Sequence, residues 1–259
     1  MSSFRYTPLP YSTMPVDHFP STHATWIDAQ LTIVERAGVH TEHGQSAQSA
    51  LRQYLMQRYH AALRAYITRS SLRSITEPDD LVGGFFAERA CKSDFLNSWR
   101  QSGLPLRRWM MTGINLYGKS IIRNQTRDRL RSADNIDLEN GGLTDESSAQ
   151  QAFERTWALA VLNAALLRVH ADLATASRLE DFWIFRRRVI QGESYDSIAP
   201  SVGRSPQQCA GATRLVTDRL REALRSALSE EGVSDRDIGV SITDVYRAFG
   251  INKRVDDQI

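Results

Sequence analysis

The chain has 259 residues, 41% of them hydrophobic and 24% charged, enough to bury one large core or two small ones of about 80 to 110 residues each. No run reaches the roughly 20 apolar residues that span a bilayer, and the opening MSSFRYTPLPYSTMP lacks the basic, apolar and small-residue segments of a signal peptide, so the expectation is a cytoplasmic protein without a membrane span. Net charge is +2, and Cys91 and Cys209 lie far apart without C-x-x-C spacing, a pattern that implies neither a disulfide framework nor a zinc site.

In chain order, a Pro-rich lead-in (1–21) precedes a first helical region, about 22–131. Leu51, Tyr54, Leu55, Tyr59, Leu63, Tyr66 and Ile67 recur at i, i+3, i+4 and predict a buried helix face. In TEPDDLVGGFFAERA, Thr76 is placed to cap a helix, Pro78 suits its first turn, and Asp79 and Asp80 complement the positive end of the helix dipole. Leu81, Val82, Phe85 and Phe86 continue the helical spacing, yet Gly83 and Gly84 interrupt it, each costing about 1 kcal/mol relative to alanine. A basic block follows: Arg107, Arg108, Lys119, Arg123, Arg127, Arg129 and Arg131 against the single acid Asp128, on a helix with Leu106, Met110, Gly113, Tyr117 and Ile121 inward.

The next stretch, SADNIDLENGGLTDESSAQQAFE, has acids, a Gly-Gly pair and no Lys or Arg, and reads as a flexible linker (132–148). A second helical region (149–231) shows one stripe of Phe153, Trp157, Val161, Ala164 and Leu167 and another of Phe182, Phe185 and Val189. In GESYDSIAPSVGRSPQQ, Ser194 caps a short helix with Ile198 and Ala199 inward, Gly203 turns the chain, and Ser205 with Pro206 opens a longer helix. That order is helix-turn-helix grammar. Such a unit places the start of its second helix in the DNA major groove, and Arg204, Ser205, Gln207, Gln208 and Arg214 have the chemistry to meet base edges there. The final segment (232–259) predicts an extra helix through Val245, Tyr246 and Phe249, with packing on the second region as the simplest use. The expected fold is all-α: two small helical domains joined by the acidic linker, with no internal repeat.

EPDDLVGGFFAER, PLRRWMMTGINLYGKSIIRNQTRDRLR, an acidic linker and a terminal helix-turn-helix together resemble bacterial RNA polymerase sigma factors of the extracytoplasmic-function type. The resemblance covers about 22–231; FPSTHATWIDAQL is similar to the Phe-Pro-x-Thr start of one subgroup, and GESYDSIAPSVGRS to the family's G-x-S-y-x-E-I-A-x-x-L-G-x-S segment. It implies core RNA polymerase and promoter DNA as partners. Asp79, Asp80, Leu81, Val82, Phe85 and Phe86 match the polymerase-binding D-D-L-x-Q-E-x-F, with Gly83 and Gly84 where the family has Gln-Glu. The resemblance further implies that Arg107, Arg108, Trp109, Asn115, Lys119, Arg123, Asn124 and Arg127 serve the minus-ten element. Arg204, Ser205, Gln207, Gln208 and Arg214 would serve the minus-thirty-five element. An anti-sigma protein, a kinase or a recruiting complex is the kind of controller it implies.

The residues carry simpler readings beside these. Phe85, Phe86 and Trp109 at helical spacing suit core packing, and part of the basic block suits a solvated helix face. The recognition helix holds Ala210, Thr217 and Asp218 where the family has basic residues, so its hold on phosphates is expected to be weak. The six histidines are scattered, and no P-loop, dinucleotide fingerprint or nucleophile elbow occurs; no enzyme, cofactor or metal is expected. Two rivals to a sigma factor fit the same residues: a helix-turn-helix regulator acting alone on duplex DNA, and a sigma-like adaptor.

Overall fold

A computed structural model describes residues 23–131, 146–233 and 235–248. Among them the fold is all-α, with ten α-helices and no strand. The first region contains α1 (His23–Ala37), α2 (Glu42–Arg69), a 3-10 turn (Ser71–Ser74), α3 (Pro78–Phe85), α4 (Ser93–Ser102) and α5 (Leu106–Arg131). The second contains α6 (Glu146–Thr175), α7 (Leu179–Phe185), α8 (Tyr195–Val202), α9 (Pro206–Glu230) and α10 (Asp235–Ala248). The lead-in, residues 132–145 of the expected linker, and Phe249 onward lie outside the described residues.

The predicted face of α2, from Leu51 to Ile67, is buried throughout. Thr41 caps this helix, its hydroxyl accepting from the Gly44 N–H at 3.2 Å. Against it lies α6, whose 30 residues are long and apolar enough to cross a membrane by length and composition alone. Here it buries Phe153, Trp157, Val161, Ala165, Val169 and Leu173, a run of four-residue steps. Ala164 and Leu167, expected on that face, are exposed, Leu167 by 62%. Four-residue steps drift about 40° each around a helix of 3.6 residues per turn, so the stripe winds away from the three-residue step that the sequence suggested.

One core runs across both regions, from Ile27, Leu55 and Phe85 to Trp157, Leu224 and Val245. The helix expected in the last segment is present as α10, which packs on α6 and α9 with Val245 fully buried. A smaller core of Ile184, Ile198, Ala199, Cys209 and Ala212 sits under the α8–α9 turn.

At the start of α3, Glu77, not Thr76, takes the cap position and makes no side-chain cap bond. Pro78 at the first helical position, where no N–H is needed, fixes the cap one residue later than expected. The two glycines of this helix differ: a Cβ on Gly83 would meet nothing within 4 Å, whereas one on Gly84 would lie 2.7 Å from the Tyr117 hydroxyl oxygen. Gly84 therefore admits α5. Beyond α3 and again beyond α7 the helix widens into a π turn, at Phe86–Ala90 and Arg186–Ile190.

Candidate nucleic-acid interface

Two glycines let α5 lie close against the first region. A Cβ on Gly113 would come within 3.0 Å of the Phe95 and Phe85 rings, and one on Gly118 would fall 2.7 Å from a Leu72 methyl. With Leu106, Met110, Ile114 and Tyr117 buried, the opposite flank of the helix faces outward. On that flank Arg108, Lys119, Arg123 and Arg127 are exposed and Asn115 is half-buried, whereas Asn124, also exposed, comes seven residues after Tyr117 and shares the face that is buried earlier in the helix. Asn115, Lys119, Arg123 and Arg127 follow one another at four-residue spacing and wind along about 28 Å from Arg108 to Arg127 at 1.5 Å per residue. Among the described residues no carboxylate pairs with Lys119, Arg123 or Arg127. A stripe of this length and charge suits a sugar-phosphate backbone.

Arg107 and Trp109 are placed differently. Arg107 is turned toward α6, its guanidinium 4.6 Å from the centre of the Trp157 ring and its Nε 3.3 Å from a Glu154 carboxylate oxygen. Burial raises the Glu154 carboxyl above its usual range, and Arg107 and Arg108 oppose that shift. Trp109 packs on Phe95 and donates its indole N–H to the Phe95 carbonyl at 3.1 Å. Neither side chain joins the exposed stripe.

At the other candidate reader the local structure follows the sequence grammar. Ser194 caps α8 by accepting from the Ser197 N–H, Gly203 adopts φ +65° at the turn, and Pro206 opens α9. Ser205 accepts from the Gln208 N–H at 3.1 Å while the Gln208 side chain accepts from the Ser205 N–H at 2.8 Å, a reciprocal capping box. Gln207, Gln208 and Arg214 are exposed. Arg204 instead donates to Asp181 at 2.6 Å and pairs with Glu180 at 2.6 Å. The hydrogen bond to Asp181 first, and then the Asp181 and Glu180 charges, raise the Arg204 pKa against burial, which lowers it. Its cation ties the turn to α7.

The positions matched to polymerase binding divide by side chain. Leu81, Val82, Phe85 and Phe86 are buried in the core, with the Phe85 ring against Phe86, Phe95 and Tyr117. They present no surface to a partner in this conformation, because Leu81, Val82 and Phe85 fall on the face of α3 that packs against α2 and α5, and Phe86 follows in the π turn with its ring buried against Phe85. Asp79 and Asp80 are outward, and Asp79 accepts from Arg64 at 3.0 Å.

Sequence reasoning missed the buried acids. Asp181, 1% exposed, accepts from Arg178 at 2.8 Å as well as from Arg204. Glu231, also 1% exposed, accepts from Arg58 Nε at 2.8 Å and from the Tyr59 hydroxyl. Arg204 and Arg58 lie 23 and 173 residues from the acids they hold, separations that no periodicity reports. Searches of protein families, curated proteins and solved structures find no match to this chain.

Proposed function

We propose that the chain is a sigma-like initiation factor that binds core RNA polymerase and recognises a two-part promoter. The observation that carries this reading is one all-α chain bearing both an outward cationic stripe on α5 and a capped helix-turn-helix whose second helix presents Gln207, Gln208 and Arg214. The α5 stripe holds phosphates of the downstream element while Asn115, on the same flank, supplies a short polar contact to an unstacked base. The head of α9 reads base edges of the upstream element, with Gln suited to adenine and Arg to guanine. Asp79 and Asp80 are the outward polymerase-facing groups of α3.

Run-off transcription with purified core RNA polymerase over a genomic template library tests the reading. Discrete start sites that depend on the protein, each preceded by two separated sequence elements, are the expected result. Tight sequence-specific duplex binding without polymerase, and no transcripts with it, would replace this reading by that of a stand-alone regulator.

A further inference from the structure

The carboxy-terminal end of α9 is locked into the first region by polar groups rather than by apolar packing alone. Glu231 lies just beyond α9 and accepts from Arg58 and Tyr59 on α2, and Arg58 also donates to the Ala227 carbonyl at 3.4 Å. Burial, then the Glu231 charge, raises the Tyr59 pKa well above its ordinary value, so Tyr59 is the donor of its bond. The Glu231 backbone carbonyl meanwhile accepts from the Leu106 N–H at 2.9 Å, at the first residue of α5. The next residue, Arg107, is the one held over Trp157.

A buried ion pair loses hydration that its attraction only partly returns, so such a pair fixes a geometry more than it stabilises one. The contact between α5 and α6 adds two buried N–H groups without a partner, Arg107 Nη1 and Trp157 Nε1, while Arg107 Nε has only the 3.3 Å ion pair to Glu154, and each unsatisfied donor favours separation. An incompletely satisfied polar contact beside a buried ion pair is suited to an equilibrium that a partner shifts.

We propose that Arg58, Tyr59 and Glu231 form a latch between the two regions, and that its release frees Arg107 from Trp157 and Glu154 to join the cationic stripe of α5. In the latched state the stripe begins at Arg108 and Arg107 is withheld; in the released state two adjacent guanidiniums stand at its head. The latch stands on the geometry of the junction, whereas the use of the freed Arg107 on DNA rests on the function proposed above.

The Leu106 amide reports the latch directly, because its acceptor is the Glu231 carbonyl. In the full chain, Glu231→Gln keeps the shape and the Tyr59 bond but removes the charge. Hydrogen exchange at Leu106 is expected to quicken about 10-fold or more while amides in the middle of α2 and α9 keep their protection, the pattern of a local opening. The apolar set Arg58→Met, Tyr59→Phe, Glu231→Leu should slow that exchange, since buried ion pairs replaced by packed apolar groups hold as well or better. Unchanged exchange at Leu106, or exchange that rises in step across α2 and α9, would overturn the latch. Binding of a fluorescent forked DNA separates the second half of the proposal: Glu231→Gln should bind about five-fold more tightly, and adding Arg107→Ala should remove the gain. Faster Leu106 exchange with no gain in DNA binding would sustain the latch and overturn the role of Arg107 on DNA.

Discussion

On α5, Lys119, Arg123 and Arg127 stand outward at four-residue spacing with no carboxylate of the described residues paired to them, whereas at the head of α9 Arg204 is bound to Asp181 and Glu180. Both segments are basic in sequence, yet one leaves Lys119, Arg123 and Arg127 to solvent and the other uses Arg204 to tie two helices together. The difference follows from what lies across from each. Among the described residues no acid stands across from Lys119, Arg123 or Arg127 on α5, while the α8–α9 turn sits on a core of only five buried side chains and is braced by polar groups. Arg187 supplies more of that bracing, donating to Glu193 at 2.5 Å and 3.0 Å. Positive charge in a sequence therefore marks a ligand surface only where no buried acid has a prior claim on it.

The sharpest break of this comparison is at Asp181. Asp181→Ala should cost about 2 to 3 kcal/mol, less than a fully buried pair because Arg204 and Arg178 keep partial access to water. Chemical denaturation would show it, and a loss under 0.5 kcal/mol would mean that the turn does not depend on the brace. On α5 the same kind of change should leave stability alone. Replacing Lys119, Arg123 and Arg127 together by Ala is expected to hold the melting midpoint while lowering the slope of log binding against log salt by roughly 2 to 3, at about 0.7 to 0.9 per phosphate contact. An unchanged slope would show that the stripe does not carry DNA.

A smaller effect separates the neighbouring glycines of α3, since only Gly84 supports the position of α5. Gly83→Ala should gain about 0.5 to 1 kcal/mol, because its Cβ meets open space and the helix loses a soft position. Gly84→Ala should instead cost about 1 kcal/mol by pressing on Tyr117. Thermal melts of the two variants in parallel decide this, and equal gains would show that Tyr117 simply yields.

The smallest effect compares the cores through their thiols. Burial pushes the Cys91 thiol up from 9.0 to about 11. A raised thiol pKa means the folded chain holds the proton more tightly than the unfolded one. Its stabilisation is whole below pH 9 and is lost as pH rises from 9 to 11. At pH 8 alkylation of Cys91 should therefore be far slower than that of a free cysteine. Rapid labelling there, with Cys209 protected, would place the local opening in the first region.

Much of the local structure was legible in the amino-acid sequence, because it depends on neighbours three or four residues apart. The buried face of α2, the capped turn from Ser194 to Pro206 and the basic run of α5 all belong to this class, and each is present. The all-α class follows from the same short-range periodicity. The Thr76 cap and the Ala164–Leu167 stripe failed at the limit of that range, where a shift of one residue, or the roughly 40° drift of each four-residue step, decides which face a side chain takes.

What only the tertiary structure decided is the fate of individual charges and aromatics. Gly84 is small because of a tyrosine 33 positions later, Arg204 is a brace because of an acid 23 positions earlier, and Arg107 faces Trp157 rather than solvent. A helix sequence specifies which residues share a face, since backbone hydrogen bonds set that geometry locally. Which element covers the face depends on the packing of distant segments, and burial then determines whether an arginine meets a carboxylate, an indole or water.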